Sequence, residues 1–262
     1  MSSLLLREAM PQNNISKFFF TIIIYFFCYA KVFADSLLVA VASNLSPIIG
    51  DTIIDFESEY NHSLEIVYGS TNRLYTQIRN GAPFDLFLAA DETSIDSLIE
   101  NNLINENDAI DFLIGTLAIY SNRPIQDLII DEQIDPRNFN RISLANPILA
   151  PFGRSSMQHL TRQINQNLII EKIVQAQNIA QSFQYVNNGA VDLGYVSLSH
   201  LLQGDINTSY YWIVPSNEYE PIIQSAGILS RSDNMIASKE FIEYLKSDSF
   251  KLIALKWGYQ LP

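Results

Sequence analysis

From residue 35 onward, short apolar runs alternate with segments that carry apolar residues at helical spacing. This alternation is typical of βαβ units, in which helices cover both faces of a mostly parallel sheet. Predicted helices begin near residues 46, 70, 151 and 178, and two more close the chain at 239–246 and 250–257. The predicted strands are residues 37–42, 64–68, 86–89, 117–120, 142–145, 193–196, 212–214 and 223–229. The sequence therefore predicts an α/β fold.

The first 34 residues do not follow this alternation. Lys17 precedes an uncharged, mainly apolar run at 18–30, and Val32-Phe33-Ala34 places small residues where a signal peptidase reads them. The run is shorter than the roughly 20 residues that a spanning helix needs. We therefore expect 1–34 to be a cleavable signal peptide and the mature protein to be periplasmic. The one cysteine, Cys28, would leave with it.

The charge of the chain restricts its partners. The formal net charge is −12, and loss of the first 34 residues removes three cations and one anion, which gives −14. A field of this sign repels nucleic acid and anionic lipid. We therefore expect no nucleic-acid partner.

Four predicted helices begin with small, hydroxyl or amide residues, directly after a strand or its short loop. The four turns are residues 42–44, 68–71, 151–153 and 177–179. The first N–H groups of a helix lack acceptors and carry partial positive charge, so several helix starts around one cavity attract an anion. In open α/β sheets such sites lie beyond the carboxyl ends of the strands. The pattern favours an anion site without cationic side chains.

Other chemistries have weaker support in the sequence. His62, His159 and His200 are far apart and lack the paired spacing of metal sites, and there is no nucleophile elbow, P-loop or dinucleotide motif. Catalysis is not expected. An acid/base pair at Asp85 and Asp91, which flank a predicted strand, stays open as an enzyme hypothesis.

A second alternative rests on the consecutive Tyr210 and Tyr211. Two adjacent tyrosines are a feature of extracellular iron-binding proteins, so a ferric-iron-binding protein of the same fold stays open. Packing beside Trp212 on an apolar strand explains the pair without a metal.

The most specific motif spans residues 80–91, Asn-Gly-Ala-Pro-Phe-Asp-Leu-Phe-Leu-Ala-Ala-Asp. It resembles the G-A-P-x-D-L-F-x-x-A-D block of periplasmic molybdate-binding proteins of ABC transporters. The similarity runs from about 37 to 259, with 151–153, 193–196 and 257–259 in the family's order. The resemblance implies a type II-like periplasmic-binding-protein fold, with two lobes and the ligand in the cleft between them. It also implies a membrane ABC permease as partner.

We predict that the chain crosses twice between the lobes. The first lobe would comprise 35–115 and 222–262, and the second 116–221. The mature protein is expected to be a monomer that binds molybdate, tungstate or another oxyanion such as sulfate, and no cofactor is expected.

The resemblance also implies the ligand contacts. Matching positions are Ser43 and Thr71, which would touch the metalate through its oxygens, and the backbone N–H groups of Phe152 and Ile179. Some family members add a tyrosine hydroxyl where this chain has Ser197. Further candidates are Ser70, Asn44 and Tyr195, the last of which lies on the preceding strand.

Overall fold

The computed structural model describes residues 35–262, with the backbone alone for Asp35, Gln166 and Asn167. The predicted signal peptide and Cys28 lie outside these residues. The helices are α1 Ser46–Glu59, α2 Thr71–Arg79, α3 Glu92–Glu100, α4 Pro151–Gln163, α5 Gln166–Ile169, α6 Ile179–Asn187, α7 Leu198–Gln203, α8 Met235–Leu245 and α9 Asp248–Lys256. Short 3₁₀ turns lie at Ser43–Leu45, Ile125–Asp127, Pro136–Asn138, Ile170–Lys172, Thr208–Tyr210 and Ser216–Glu218. None of the helices within residues 35–262 is long and apolar enough to cross a membrane.

The strands form two five-stranded sheets and one small hairpin. They are β1 Asp35–Ala42, β2 His62–Gly69, β3 Leu86–Ala89, β4 Ile104–Gly115, β5 Leu117–Ser121, β6 Ile129–Ile130, β7 Gln133–Ile134, β8 Ile142–Ala145, β9 Ile173–Ala176, β10 Leu193–Ser197, β11 Tyr211–Ile213 and β12 Ile222–Leu229. The first sheet has the order β2-β1-β3-β12-β4, and the second has the order β11-β5-β10-β8-β9. Strands β6 and β7 pair only with each other.

One strand in each sheet runs against the other four. Strand β12 is antiparallel to both of its neighbours, β3 and β4, and β5 is antiparallel to β10 and β11. The remaining pairs, such as β1 with β2 and β8 with β9, are parallel. The chain passes from the first sheet to the second between β4 and β5, and returns between β11 and β12.

These sheets confirm the predicted α/β class, and the eight predicted strands are present as β1–β3, β5, β8 and β10–β12. The sequence interpretation did not include β4 and β9, which are edge strands. Strand β4 exposes charged residues such as Glu106 and Asp111, as edge strands do when they block pairing with other chains. For this reason β4 has no continuous apolar run. Residues 35–262 form one compact unit, and the proposed lobe boundaries stay a prediction.

Each sheet is buried on both faces by alternate side chains. In β1, Val39 and Val41 pack toward α1, α8 and α9, whereas Ala40 packs toward α2 and α3. In β5, Ile119 joins the core that contains α4, and Tyr120 joins the smaller core with α6 and α7. This period of two places the helices on both sides of each sheet.

Gly194 allows α6 to lie close against the second sheet, and this contact gives a test of the fold. A Cβ at residue 194 would lie 2.1 Å from Ser143 Oγ and 2.8 Å from Val186 Cγ2. We expect Gly194→Ala to lower the free energy of unfolding by about 1–3 kcal/mol, the usual range for overpacking. Urea denaturation measures the change.

Gly50→Ala is the matched control, because Gly50 lies in α1 and a Cβ there has no neighbour within 4 Å. Alanine should stabilise this exposed helical position by about 0.5–1 kcal/mol. Equal effects of the two substitutions would contradict the packing of α6 on the second sheet.

Candidate functional site

The four predicted turns meet at one small cavity between the two sheets. It is lined by Ala42, Ser43, Asn44, Ser70, Thr71, Ala90, Ala150, Pro151, Phe152 and Ile179. The first six of these residues end or follow strands of the first sheet, and the last four lie at the starts of α4 and α6 beside the second sheet. The structure thus brings Ser43, Thr71, Phe152 and Ile179 together, with Ser70 and Asn44 beside them.

The helices that begin at this cavity have backbone N–H groups in their first turn that no side chain caps, although side chains usually cap such groups. The residue before α4 is Ala150, which has no capping group, and Ser70 makes no side-chain cap at the start of α2. At α6, the Asn178 carboxamide accepts from Gln181 N at 2.9 Å, so the earlier N–H of Ile179 is not capped by it. Unpaired N–H groups of this kind, with the helix dipole, attract anions.

The hydroxyl groups at the cavity are buried and have room to donate. Ser43, Ser70 and Thr71 are 6%, 5% and 2% exposed. Thr71 Oγ1 accepts a hydrogen bond from Ala90 N at 3.2 Å, which leaves its own proton for a further acceptor. Ala90, which the sequence interpretation did not single out, both lines the cavity and orients this hydroxyl.

The ring of Phe152 packs away in the core of the second sheet. The residue is 1% exposed, and a Cβ at Gly115 would lie 2.8 Å from its Cζ. The bulk of the side chain is therefore accommodated beside β4, where a glycine makes space. Its N–H, at the second position of α4, has no acceptor within the helix.

Asn44 is held firmly by a buried set of hydrogen bonds, which we call the polar network. Its Nδ2 donates to Gln224 Oε1 at 2.6 Å, and its carbonyl accepts from Tyr259 OH at 2.7 Å and Ser199 Oγ at 3.0 Å. Because the side-chain amide is occupied, the backbone N–H of Asn44 is the donor it can offer to the cavity. The other members of the polar network are Ser197 and His200.

Ser197 and Tyr195 do not line the cavity, so the geometry does not support the expectation that they contribute a donor there. Ser197 Oγ is 2.5 Å from His200 Nδ1 and 2.9 Å from Ser199 Oγ. Tyr195 is fully buried, with its hydroxyl 2.6 Å from His159 Nδ1, and burial raises the pKa of its hydroxyl well above the usual value. Both hydroxyls are therefore hydrogen-bonded to buried histidines.

The residues lining the cavity, all within 35–262, include no charged side chain. Four charged residues lie within two positions of a lining residue along the chain: Arg73, Asp91, Glu92 and Arg154. Of these, Asp91 and Arg154 form an ion pair of 2.6 Å with each other. An anion in the cavity would therefore meet neutral donors.

The residues behind the two alternative hypotheses have other roles. Asp85 is saturated with hydrogen bonds, because its carboxylate accepts from Leu38 N at 2.8 Å and Ser232 Oγ at 2.6 Å. Tyr210 and Tyr211 are not among the residues that line the cavity, and Tyr211 pairs with Tyr120 of β5. Within the described part of the chain, no three His, Cys, Asp or Glu side chains are grouped to hold a metal ion.

Comparison with known proteins identifies the class of protein that this fold and cavity define. Residues 37–260 match the family of bacterial extracellular solute-binding proteins. The chain belongs to this family, and the resemblance found in the sequence is confirmed.

Within this broad family, the chain is similar to individual molybdate-binding proteins. The molybdate-binding protein of Azotobacter vinelandii is 32% identical, over 87% of this chain and 91% of its own length. The molybdate-binding protein of Rhodobacter capsulatus is 25% identical, over 86% of this chain and 88% of its own. A solved structure of the periplasmic molybdate-binding protein of Azotobacter vinelandii has a TM-score of 0.78 and 29% identity, and the match covers 86% of this chain and 99% of that one.

The buried histidines give the site region a testable pH dependence. Burial lowers the pKa of both His159 and His200 to about 4, from the usual 6.5. Unfolding exposes them, so the unfolded chain takes up protons that the folded chain does not. The stability they support is complete above pH 6.5 and is lost as the pH falls toward 4.

We expect His200→Gln to reduce this loss. Between pH 7 and pH 5, its free energy of unfolding should fall less than that of the wild type by an amount on the order of 2 kcal/mol. Urea denaturation at the two pH values measures both falls. Parallel curves for variant and wild type would show that His200 is not held neutral by burial.

Proposed function

We propose that this protein captures molybdate or tungstate outside the cytoplasmic membrane and delivers it to an ABC permease. The observation that carries the proposal is the cavity of neutral donors, built from helix starts beside both sheets. The names of the relatives from Azotobacter vinelandii and Rhodobacter capsulatus point to the same ligand.

The donor set suits the chemistry of the ligand. Molybdate is fully ionised at neutral pH, so its four oxygens accept hydrogen bonds and donate none. A site made of N–H and O–H groups pairs with every oxygen, and charge-assisted bonds of this kind are the stronger ones. Protonated phosphate would direct a donor against a donor, which disfavours it.

The proposed ligand contacts are the Ser43 and Thr71 hydroxyls and the N–H groups of Phe152 and Ile179. Ser43 and Thr71 would reach the metal only through its oxygens. Ser70 Oγ and the Asn44 N–H are further donors at the same cavity. We leave Ser197 and Tyr195 out of the set, because their hydroxyls are bound to His200 and His159.

Capture by this cavity requires no resident cofactor and no bond-making step. The relatives are transport proteins, and the carboxylate of Asp85 is already engaged in structural hydrogen bonds. We therefore propose a binding protein without catalytic activity. An iron-binding role for Tyr210 and Tyr211 is not favoured.

The transport role follows from closure around the ligand. A ligand that contacts both sides of the cavity binds the closed form more tightly than the open form and shifts the population toward it. We propose that the closed, monomeric protein is what the permease recognises. A signal peptide at 1–34 would export the chain to the periplasm.

Binding of anions by residues 35–262 tests the ligand. Isothermal titration calorimetry should detect molybdate and tungstate, with sulfate and phosphate much weaker. A ligand at a thousandfold excess over its Kd should also raise the free energy of unfolding by about 4 kcal/mol. If sulfate binds as tightly as molybdate, the protein is a general oxyanion carrier, and if none of the four binds, the ligand proposal is wrong.

Substitution of the hydroxyl donors tests the site. Ser43→Ala and Thr71→Ala should each raise the Kd for molybdate about 10- to 100-fold, since a hydrogen bond to a charged group contributes about 1.5–3 kcal/mol. Ser197→Ala is the matched control: a buried serine hydroxyl bound to His200, whose loss should leave the Kd within about twofold. The proposed contacts would be contradicted if Ser197→Ala weakened binding as much as Ser43→Ala.

A further inference from the structure

Two groups of hydrogen bonds join the two sides of the cavity, and they differ in exposure. The polar network joins Asn44 to Ser199 and Tyr259, and all three residues are buried near the strands that cross between the sheets. The second group lies at the solvent side. There, Arg154 Nη2 is 2.6 Å from Asp91 Oδ2, with side chains 45% and 13% exposed.

Asn72 supports the solvent-side contact from the same direction. Its backbone N donates to Leu149 O at 3.1 Å, and its Nδ2 donates to Ile148 O at 3.0 Å. Asn72 lies in α2, and the two carbonyls lie in the loop before α4. Like the Asp91–Arg154 pair, these bonds connect elements beside the first sheet with elements beside the second.

Each of these residues lies within two positions of a cavity residue. Asp91 follows Ala90, Asn72 follows Thr71, and Arg154 comes two after Phe152. The residues that line the cavity are buried, and its two sides are joined at two places, by the buried polar network and by the solvent-side contacts. An ion can reach such a cavity only if one of these two sets of contacts opens. The solvent-side contacts bury less surface than the polar network, so they cost less free energy to open.

We propose that Asp91 and Arg154 form a latch that holds the cavity closed and slows release of the bound oxyanion. The two side chains are positioning residues, because they act by keeping α4 against the start of α3 and do not contact the ligand. This inference rests on the proposed function of the cavity. Asp91 has a second task, since its Oδ1 accepts from Ser94 N at 3.1 Å and caps α3.

Replacing the charged Asp91 distinguishes the effect of the latch on binding from the effect of charge repulsion alone. A carboxylate beside a dianion site repels the ligand, so field effects alone predict that Asp91→Asn tightens binding. The latch predicts the opposite, because the carboxamide of this variant retains the capping oxygen for α3 but loses the ion pair with Arg154. An exposed ion pair contributes little free energy, so we expect a two- to fivefold change in the Kd and in the dissociation rate.

The experiment measures molybdate binding to residues 35–262 carrying Asp91→Asn, Arg154→Met or both. Calorimetry gives the Kd, and stopped-flow fluorescence of Trp212 and Trp257 gives the dissociation rate. We expect each single variant to raise both about two- to fivefold, with the double variant no worse than the more severe single variant. Arg154→Lys should recover part of the loss. The melting temperature without ligand should change little.

Lys256→Met is the matched control. Lys256 Nζ is 2.8 Å from Asp51 Oδ2, a similar exposed pair that joins α1 to α9 and does not cross between the sheets. Its loss should leave the dissociation rate unchanged. Tighter or unchanged binding by Asp91→Asn overturns the latch, and so does a loss above about 50-fold in Arg154→Met alone, which would make Arg154 a direct ligand.

A failure of the latch is distinguishable from a failure of the proposed function. If the wild type binds none of the tested oxyanions, the proposed function fails, and the latch is then judged without ligand. Residues 35–262 contain no cysteine, so spin labels at Thr93→Cys in α3 and Thr161→Cys in α4 report the separation across the cavity. Arg154→Met should lengthen that separation, and an unchanged distance distribution overturns the latch.

Discussion

A dehydrated dianion is held only where its oxygens meet donors, and in the site proposed for this protein the donors come from the starts of helices. Ser70 and Ala150 are the N-cap residues of α2 and α4, but neither side chain accepts a hydrogen bond from its helix. A helix with alanine at the N-cap is about 1 kcal/mol less stable than one with serine or aspartate there. The alanine also leaves N–H groups in the first turn of the helix without a side-chain acceptor. The placement of the strands matters chiefly because it brings these helix starts to one cavity.

The polar network holds the turn that carries Ser43 and Asn44 in place. Asn44 is bound to Gln224 of β12 and to Tyr259 after the last helix, and both of these lie close to the crossing between the sheets. Burial raises the pKa of the Tyr259 hydroxyl and keeps it neutral as a donor. The turn that carries Ser43 is thereby anchored on its side away from the solvent-exposed Asp91–Arg154 pair.

Much of this arrangement could be predicted from the sequence because its signals are local. A strand followed by a helix start with small or hydroxyl residues identifies the turns at Ser43, Thr71, Phe152 and Ile179, and the structure brings all four together. Strand β4 could not be predicted in this way, since its stability comes from pairing with β12 and its charges face solvent. Ser197 is a candidate through the family resemblance alone, and a local pattern could not predict that its hydroxyl lies 2.5 Å from His200 Nδ1.

The central claim is that backbone N–H groups from both sides of the cavity bind the ion directly. Amide proton shifts of ¹⁵N-labelled residues 35–262, recorded with and without molybdate, test this claim most directly. The account predicts large downfield shifts for the amides of Phe152 and Ile179, on one side, and of Asn44, on the other, with little change at Ser197. Saturable binding that leaves the amides of Phe152 and Ile179 unshifted would contradict it.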